Sequence, residues 1–212
     1  MGRFVNPDNT TFKAALNTKI YVDKTELIEF TNSLIGTTEN FICNSRPRRF
    51  GKSYTANMLS AYYSKGCDSR ELFSGLAVEK SSAYLEYLNK FDVIHFDLQW
   101  FFSKEHIDET VDLITNTIVD ELKKIYEDVL SADVRTIPDA LSQINAATGN
   151  QFVIIIDECD MLIRDASKNK AIQEKYIDFL RRLFKGIEPE KYIALAYITG
   201  ILPIKKYNTQ SA

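Results

Sequence analysis

Gly51-Lys52-Ser53 stands where a short apolar run gives way to a helical pattern, and these three residue types together handle phosphate. A glycine lets the backbone approach a phosphate oxygen, a lysine brings a point charge to the β- and γ-phosphates, and a serine hydroxyl can ligate Mg²⁺. A helix starting at Lys52 adds unpaired N–H groups and a partial positive charge. The preceding Arg46-Pro47-Arg48-Arg49-Phe50 departs from the phosphate-loop pattern. Arg46 occupies the place of its first glycine, and Pro47 removes a backbone donor. Arg48 and Arg49 can add charge. The expected nucleotide-contacting residues are therefore Arg46, Arg48, Arg49, Phe50, Gly51, Lys52, Ser53 and Tyr54. A bare Gly-Lys-Ser arises by chance in roughly one chain in ten of this length, so a second signal is needed.

That signal is Phe152-Val153-Ile154-Ile155-Ile156, which runs into Asp157-Glu158. A carboxylate at the end of a buried strand can hold Mg²⁺, so Asp157 joins Ser53 as the expected metal ligand. Glu158 is placed to polarise the water that attacks the γ-phosphate, and the expected catalytic residues are Glu158, Lys52 and Thr199. Thr199 ends the following apolar run. It either senses the γ-phosphate or simply makes a Thr-Gly turn, and spacing does not choose. Asp97 touches metal or water, or only caps the next segment. His95 and His106 have no metal-ligand company and receive no chemistry. Cys43 and Cys159 read as small core residues rather than a redox pair. Three widely spaced cysteines fit neither a disulfide framework nor a zinc site, which points to a reducing, cytoplasmic compartment.

The elements that must position these groups alternate between strand and helix. Ile20-Tyr21-Val22 reads as a short strand, and Asp23 or Thr25 as the cap of a helix through Leu27, Ile28 and Phe30. Phe41-Ile42-Cys43 reads as a buried strand, followed by a helix from Lys52 to about Ser64. A helix over 82–89 and the strand Val93–Phe96 come next. Amphipathic spacing predicts a long helix over 106–130, and another runs from Pro138 to a C-terminal Gly149. Residues 152–156, apolar on both faces, fit the inside of a parallel sheet. A helix over 168–185 and a strand over 192–198 complete the series. Polar residues stop each strand at Asn44, Asp97, Asp157 and Thr199, which places a site along one edge of an open α/β sheet.

Composition narrows the classes further. The chain has 212 residues, 45% of them hydrophobic, with thirteen Phe and eleven Tyr, enough to bury a core. Its longest apolar run, five residues, is far below the ~20 that cross a bilayer, and no apolar leader opens the chain. A net charge of −3 argues against nucleic-acid binding by bulk charge, although the arginine-rich loop is a local basic patch. Residues 1–19 read as a loosely held polar lead-in and 20–212 as the domain.

The strings "YVDKTELI", "SRPRRFGKS", "LFSGLAVEK", "VIHFDL", "IIIDECD" and "YITGILPIKKYNTQSA", in that order, resemble the bacterial AAA-ATPase-like family. The resemblance runs from about Ile20 to the end, and its most specific element is the loop with arginine in place of the first glycine. It implies a three-layer P-loop NTPase core with a mostly parallel sheet, and ATP and Mg²⁺ as ligands. The roles it implies for Lys52, Ser53, Asp157 and Glu158 match those above, and it favours Thr199 as the sensor. It draws attention to Tyr21, Asp23 and Lys24. After the carboxylates the family commonly has Tyr-Asp-Lys-Pro, whereas this chain has Cys159-Asp160-Met161-Leu162. Because the family is often joined to a restriction-endonuclease-like domain, the resemblance implies an effector of that kind. It also implies that the C-terminal part of the core is missing, with a lid and any arginine finger in further chain or an oligomeric neighbour.

The leading expectation is an ATPase that binds ATP-Mg²⁺, hydrolyses it slowly and regulates or drives an attached effector. The alternative is a nucleotide-binding switch or interaction module without appreciable turnover. A small-molecule kinase would need an arginine-rich lid, but Arg164 and Arg181-Arg182 lie in ordinary helical or loop contexts.

Overall fold

Six consecutive residues, Phe152–Asp157, are all buried in the computed structural model, which describes residues 2–103, 105–166 and 168–201. They form β3, which lies between two partners in a four-stranded sheet of β1 (Phe41–Ser45), β2 (Asp92–Asp97), β3 and β4 (Ile193–Gly200). The order is β1-β4-β3-β2, and every pairing is parallel. Before β1 run α1 (Thr10–Leu16) and α2 (Glu26–Leu34). After it come α3 (Lys52–Tyr63) and the short α4 (Arg70–Phe73) and α5 (Tyr84–Tyr87). The β2–β3 connection carries α6 (Leu98–Phe101), α7 (Thr110–Ile125) and α8 (Ile137–Thr148). The β3–β4 connection carries α9 (Met161–Asp165), α10 (Lys170–Phe184) and α11 (Glu188–Tyr192).

Strand alternation divides the core into two layers. Ile94, Phe96, Ile154, Ile156 and Ala196 face Ile114, Ile118 and Leu122 of α7, Leu141 and Ile144 of α8, and Tyr176 of α10. Val93, Val153, Ile155, Leu195 and Tyr197 face Ala56, Leu59, Tyr62 and Tyr63 of α3, with Phe12 and Ile28 behind them. Each fully buried aliphatic side chain contributes roughly 1.5–3 kcal/mol, so the central strands are fixed from both sides. The protein is thus a three-layer α/β fold with an all-parallel sheet. Among the described residues, no helix is long and apolar enough to cross a membrane.

Several local expectations give way. β1 is an edge strand with a half-exposed pattern rather than a buried one, because among the described residues only β4 pairs with it. Cys43 on it is correspondingly exposed, whereas Cys159 is buried in the core as expected. Residues 20–22 form no strand, and Ile20 and Val22 are exposed. The expected helix over 106–130 shortens to α7, preceded by a 3₁₀ turn at Ile107–Glu109. The helix over 82–89 shrinks to α5, and Tyr192 belongs to α11 rather than to the last strand. α8 follows its sequence signals, with Pro138 in its first turn and Gly149 ending it at φ 74°; Thr136, unanticipated from the sequence, caps it by accepting from the Asp139 amide.

Far from being a loose lead-in, residues 2–16 are held in place. Phe4 and Val5 are buried, Val5 bridges Ile94, and Phe12 stacks on Phe73 at 4.9 Å between ring centres. The Glu121 carboxylate accepts from the amides of Phe4 and Val5 at 2.9 and 2.8 Å. At the opposite end of the sheet from the phosphate loop, the buried Asp92 gathers four more partners. It accepts from Asn6 Nδ2 at 2.7 Å, Lys65 Nζ at 2.8 Å, Tyr126 OH at 2.6 Å and Asn150 Nδ2 at 3.2 Å. One carboxylate thereby joins the N-terminal segment, the chain after α3, the end of α7 and the turn before β3. Replacing it strands a partly buried ammonium and several buried donors. Asp92→Ala should lower the unfolding free energy by about 3 kcal/mol in urea titrations, and a loss under about 1 kcal/mol would show that these contacts hold nothing together.

Candidate functional site

Parallel strands end on the same side, and the register shows which ends meet. Asn44 pairs with Thr199, and Asp97 with Asp157. The loop after β1 bends back over these ends through two left-handed residues, Arg49 (φ 68°) and Gly51 (φ 75°). At Gly51 a Cβ would come within 2.8 Å of Lys24 Nζ, the mobile end of a side chain that can shift, so it is the left-handed backbone angle that calls for glycine. Lys24 itself donates to the Phe50 carbonyl at 3.1 Å, which ties the 21–24 segment to the loop. Asp23 is occupied elsewhere, accepting from Thr25 N and Oγ1 and from the Ala77 amide. Burial pushes its pKa up, but these hydrogen bonds outweigh that and hold it below the usual carboxylate value.

Lys52 begins α3 and is buried, yet its ammonium reaches the inside of the loop. It donates to the carbonyls of Arg46 (3.1 Å) and Pro47 (3.2 Å) and stands 4.0 Å from a Glu158 carboxylate oxygen. Arg46 is exposed and enters the loop through its backbone, its amide donating to the Gly200 carbonyl at 3.1 Å. Arg48 and Arg49 are exposed and line a cleft of about 650 Å³ together with Lys52, Ser53, Glu158 and Arg164. Beside Gly51 a smaller hollow of about 260 Å³ is walled by Phe12, Tyr21, Val22, Tyr54 and Met58. Phe50 is exposed, with its carbonyl on Lys24.

At the end of β3, Asp157 is 3% exposed and accepts from the Thr199 hydroxyl and the Glu158 amide; with Ser53, His95 and Asp97 it lines a second cleft of about 460 Å³. Thr199 is fully buried, so its hydroxyl is committed to that carboxylate. Asp97 accepts from the Gln99 amide at 2.8 Å and caps α6. Burial raises its pKa, with Asp157 and Glu158 adding to the effect. His95 lies below it, where lost hydration pushes its pKa down to about 4 and keeps the ring neutral near pH 7. His106 is exposed, 3.7 Å from Glu109.

Glu158 differs from its neighbours in having φ 52°, a left-handed backbone that costs a non-glycine residue on the order of 1–2 kcal/mol. Its two carboxylate oxygens are shared between two cations, Lys52 at 4.0 Å and Arg164 Nη1 at 3.5 Å. Arg164 is therefore not in an ordinary helical context. It also pairs with Asp160 at 3.2 Å and Asp165 at 3.0 Å. The overlooked signal was proximity in sequence: α9 starts three residues after Glu158, and Asp160 and Arg164 lie four apart on one helical face. Arg181 and Arg182 pair only with Asp178 on their own helix among the ion pairs of the described residues.

A family model described as Predicted AAA-ATPase matches residues 11–209. No curated protein matches the chain. Thr199→Val keeps the side-chain shape but removes the donor to buried Asp157. It should cost about 1–3 kcal/mol of stability by urea unfolding, and an unchanged midpoint would show that this bond does not orient the carboxylate.

Proposed function

We propose that this chain, a member of the AAA-ATPase-like family, binds ATP with Mg²⁺ and hydrolyses it slowly to regulate or drive an attached effector. The observation that supports this reading is that Lys52, Ser53 and Glu158 line one cleft, while Ser53 also lines a second one with Asp157 and Asp97. In this reading the Lys52 ammonium leaves the loop carbonyls for the β/γ-phosphates, and the free amides of α3 add to the field. Arg48 and Arg49 supply further positive charge at the rim. The apolar hollow beside Gly51 takes the base against Tyr21, Tyr54 and Met58.

Mg²⁺ fits the donors present. Among the described residues no cluster of three or more His, Cys, Asp or Glu forms a metal cage, and Mg²⁺ in nucleotide sites needs only one or two protein oxygens besides phosphates and water. Ser53 and Asp157 would be those ligands. Held there, the ion would supply positive charge to the phosphate oxygens. Thr199 holds Asp157 in the orientation this requires, and Glu158 accepts a hydrogen bond from the attacking water. A nuclease-like domain is the effector that the sequence resemblance suggests.

Lys52→Ala should abolish measurable ATP binding in calorimetry on folded protein; affinity equal to the parent's would remove the phosphate-loop reading. Asp157→Asn should weaken Mg²⁺-dependent binding far more than metal-free binding, an assignment that fails if chelating the metal leaves parental affinity unchanged. Glu158→Gln should retain ATP affinity while turnover falls by ~100-fold or more, the effect of losing a positioned base. Saturable binding by the parent with no phosphate release would instead favour the nucleotide switch.

A further inference from the structure

The Glu158 carboxylate sits where an anion between two cations belongs, with one oxygen toward the Lys52 ammonium and the other toward the Arg164 guanidinium. Lys52 is one of the residues assigned to the β/γ-phosphates, so the group on the far side of the same carboxylate faces the same anion position. Arg164 lines the cleft with Arg48, Arg49, Lys52 and Ser53, and its side chain is 21% exposed, enough to exchange partners. It comes from α9, which is fixed to the end of β4 through Asp160: Asp160 Oδ1 accepts from the Ile201 amide at 3.1 Å while Oδ2 faces Arg164 at 3.2 Å.

We propose, building on the ATP reading above, that Arg164 is the chain's own γ-phosphate arginine, and that Glu158 occupies its place as a stand-in anion until ATP arrives. The groups facing the guanidinium are Glu158, Asp160 and Asp165. Of these, Asp160 and Asp165 lie on or next to α9 and travel with Arg164, whereas Glu158 is shared with Lys52 across the cleft. A phosphate carries more charge than a carboxylate and offers oxygens that match the planar guanidinium fork. The γ-phosphate therefore displaces Glu158 from both cations at once. The freed carboxylate, on a strained left-handed backbone, turns toward the attacking water. ADP lacks the group that performs this exchange, so the arrangement distinguishes triphosphate from diphosphate within one chain.

Calorimetric titration of ATP and of ADP, each with Mg²⁺, into the parent, Arg164→Ala and Arg164→Lys tests this. Loss of the guanidinium should weaken ATP binding about tenfold or more and leave ADP within about twofold, as expected for one charge-assisted hydrogen-bonding group. The lysine variant should recover only part of the difference. The same substitution made in Glu158→Gln separates direct contact from action through the glutamate: the ATP loss should persist or grow there. An unchanged ATP-to-ADP ratio, or an effect that vanishes in the Glu158→Gln background, overturns the proposal while leaving ATP binding intact. No ATP binding by the parent would instead bring down the nucleotide reading and this inference with it. Should Arg164→Ala melt early by circular dichroism, Arg164→Gln keeps the side-chain packing and the same ratio decides.

Discussion

Four parallel strands that end on the same side bring Asn44, Asp97, Asp157 and Thr199 to one edge of the sheet. The register makes these side chains neighbours, Asn44 beside Thr199 and Asp97 beside Asp157, and local hydrogen bonds hold them: Asn44 donates to the Tyr197 hydroxyl, Thr199 to Asp157 and the Gln99 amide to Asp97. The rest of the molecule follows from keeping that alignment. β3 is buried on both faces so that Asp157 cannot slide, and the Thr199 hydroxyl on β4 fixes the carboxylate laterally. At the far end of the sheet, Asp92 ties down the N-terminal segment and the ends of α7 and α8, which sets the height of β2 and β3 relative to their helices.

Charge balance explains the state of the cleft. A loop rich in arginine and lysine would be self-repelling without anions, and the chain provides them locally. Lys52 turns to the carbonyls of Arg46 and Pro47, and Glu158 spreads its carboxylate between Lys52 and Arg164. The Glu158 ion pairs, at 4.0 and 3.5 Å and with Glu158 and Arg164 partly exposed, are long and therefore exchangeable. They keep the loop shaped for an anion without competing strongly against one.

Much of this was legible in the sequence because its signals are local. The apolar run 152–156 is too uniform for a surface strand, and Pro138 and Gly149 mark the two ends of α8. Gly51-Lys52-Ser53 and Asp157-Glu158 are likewise local patterns, and parallel strands put the segments that follow β1 and β3 on the same side of the sheet. What the sequence did not show depends on neighbours distant in the chain. Whether Phe41-Ile42-Cys43 is central or at an edge is decided by strand order, not by its own composition. The N-terminal residues look polar and loose, yet Phe4, Val5 and Phe12 supply enough apolar area to anchor them once β2, α3 and α7 are in place. Arg164 was hidden for the same reason, since its helix is only five residues long and its significance lies in the carboxylate it shares with Lys52.

The central claim is that the cleft between Lys52 and the carboxylates of β3 is a metal-assisted polyphosphate site. Equilibrium binding of a fluorescent ATP analogue to the parent chain, with and without Mg²⁺ and with unlabelled tripolyphosphate as competitor, tests it most directly. The account predicts saturable one-to-one binding that Mg²⁺ strengthens and tripolyphosphate displaces. Binding that ignores both the metal and the competitor, or no saturable binding at all, would contradict it.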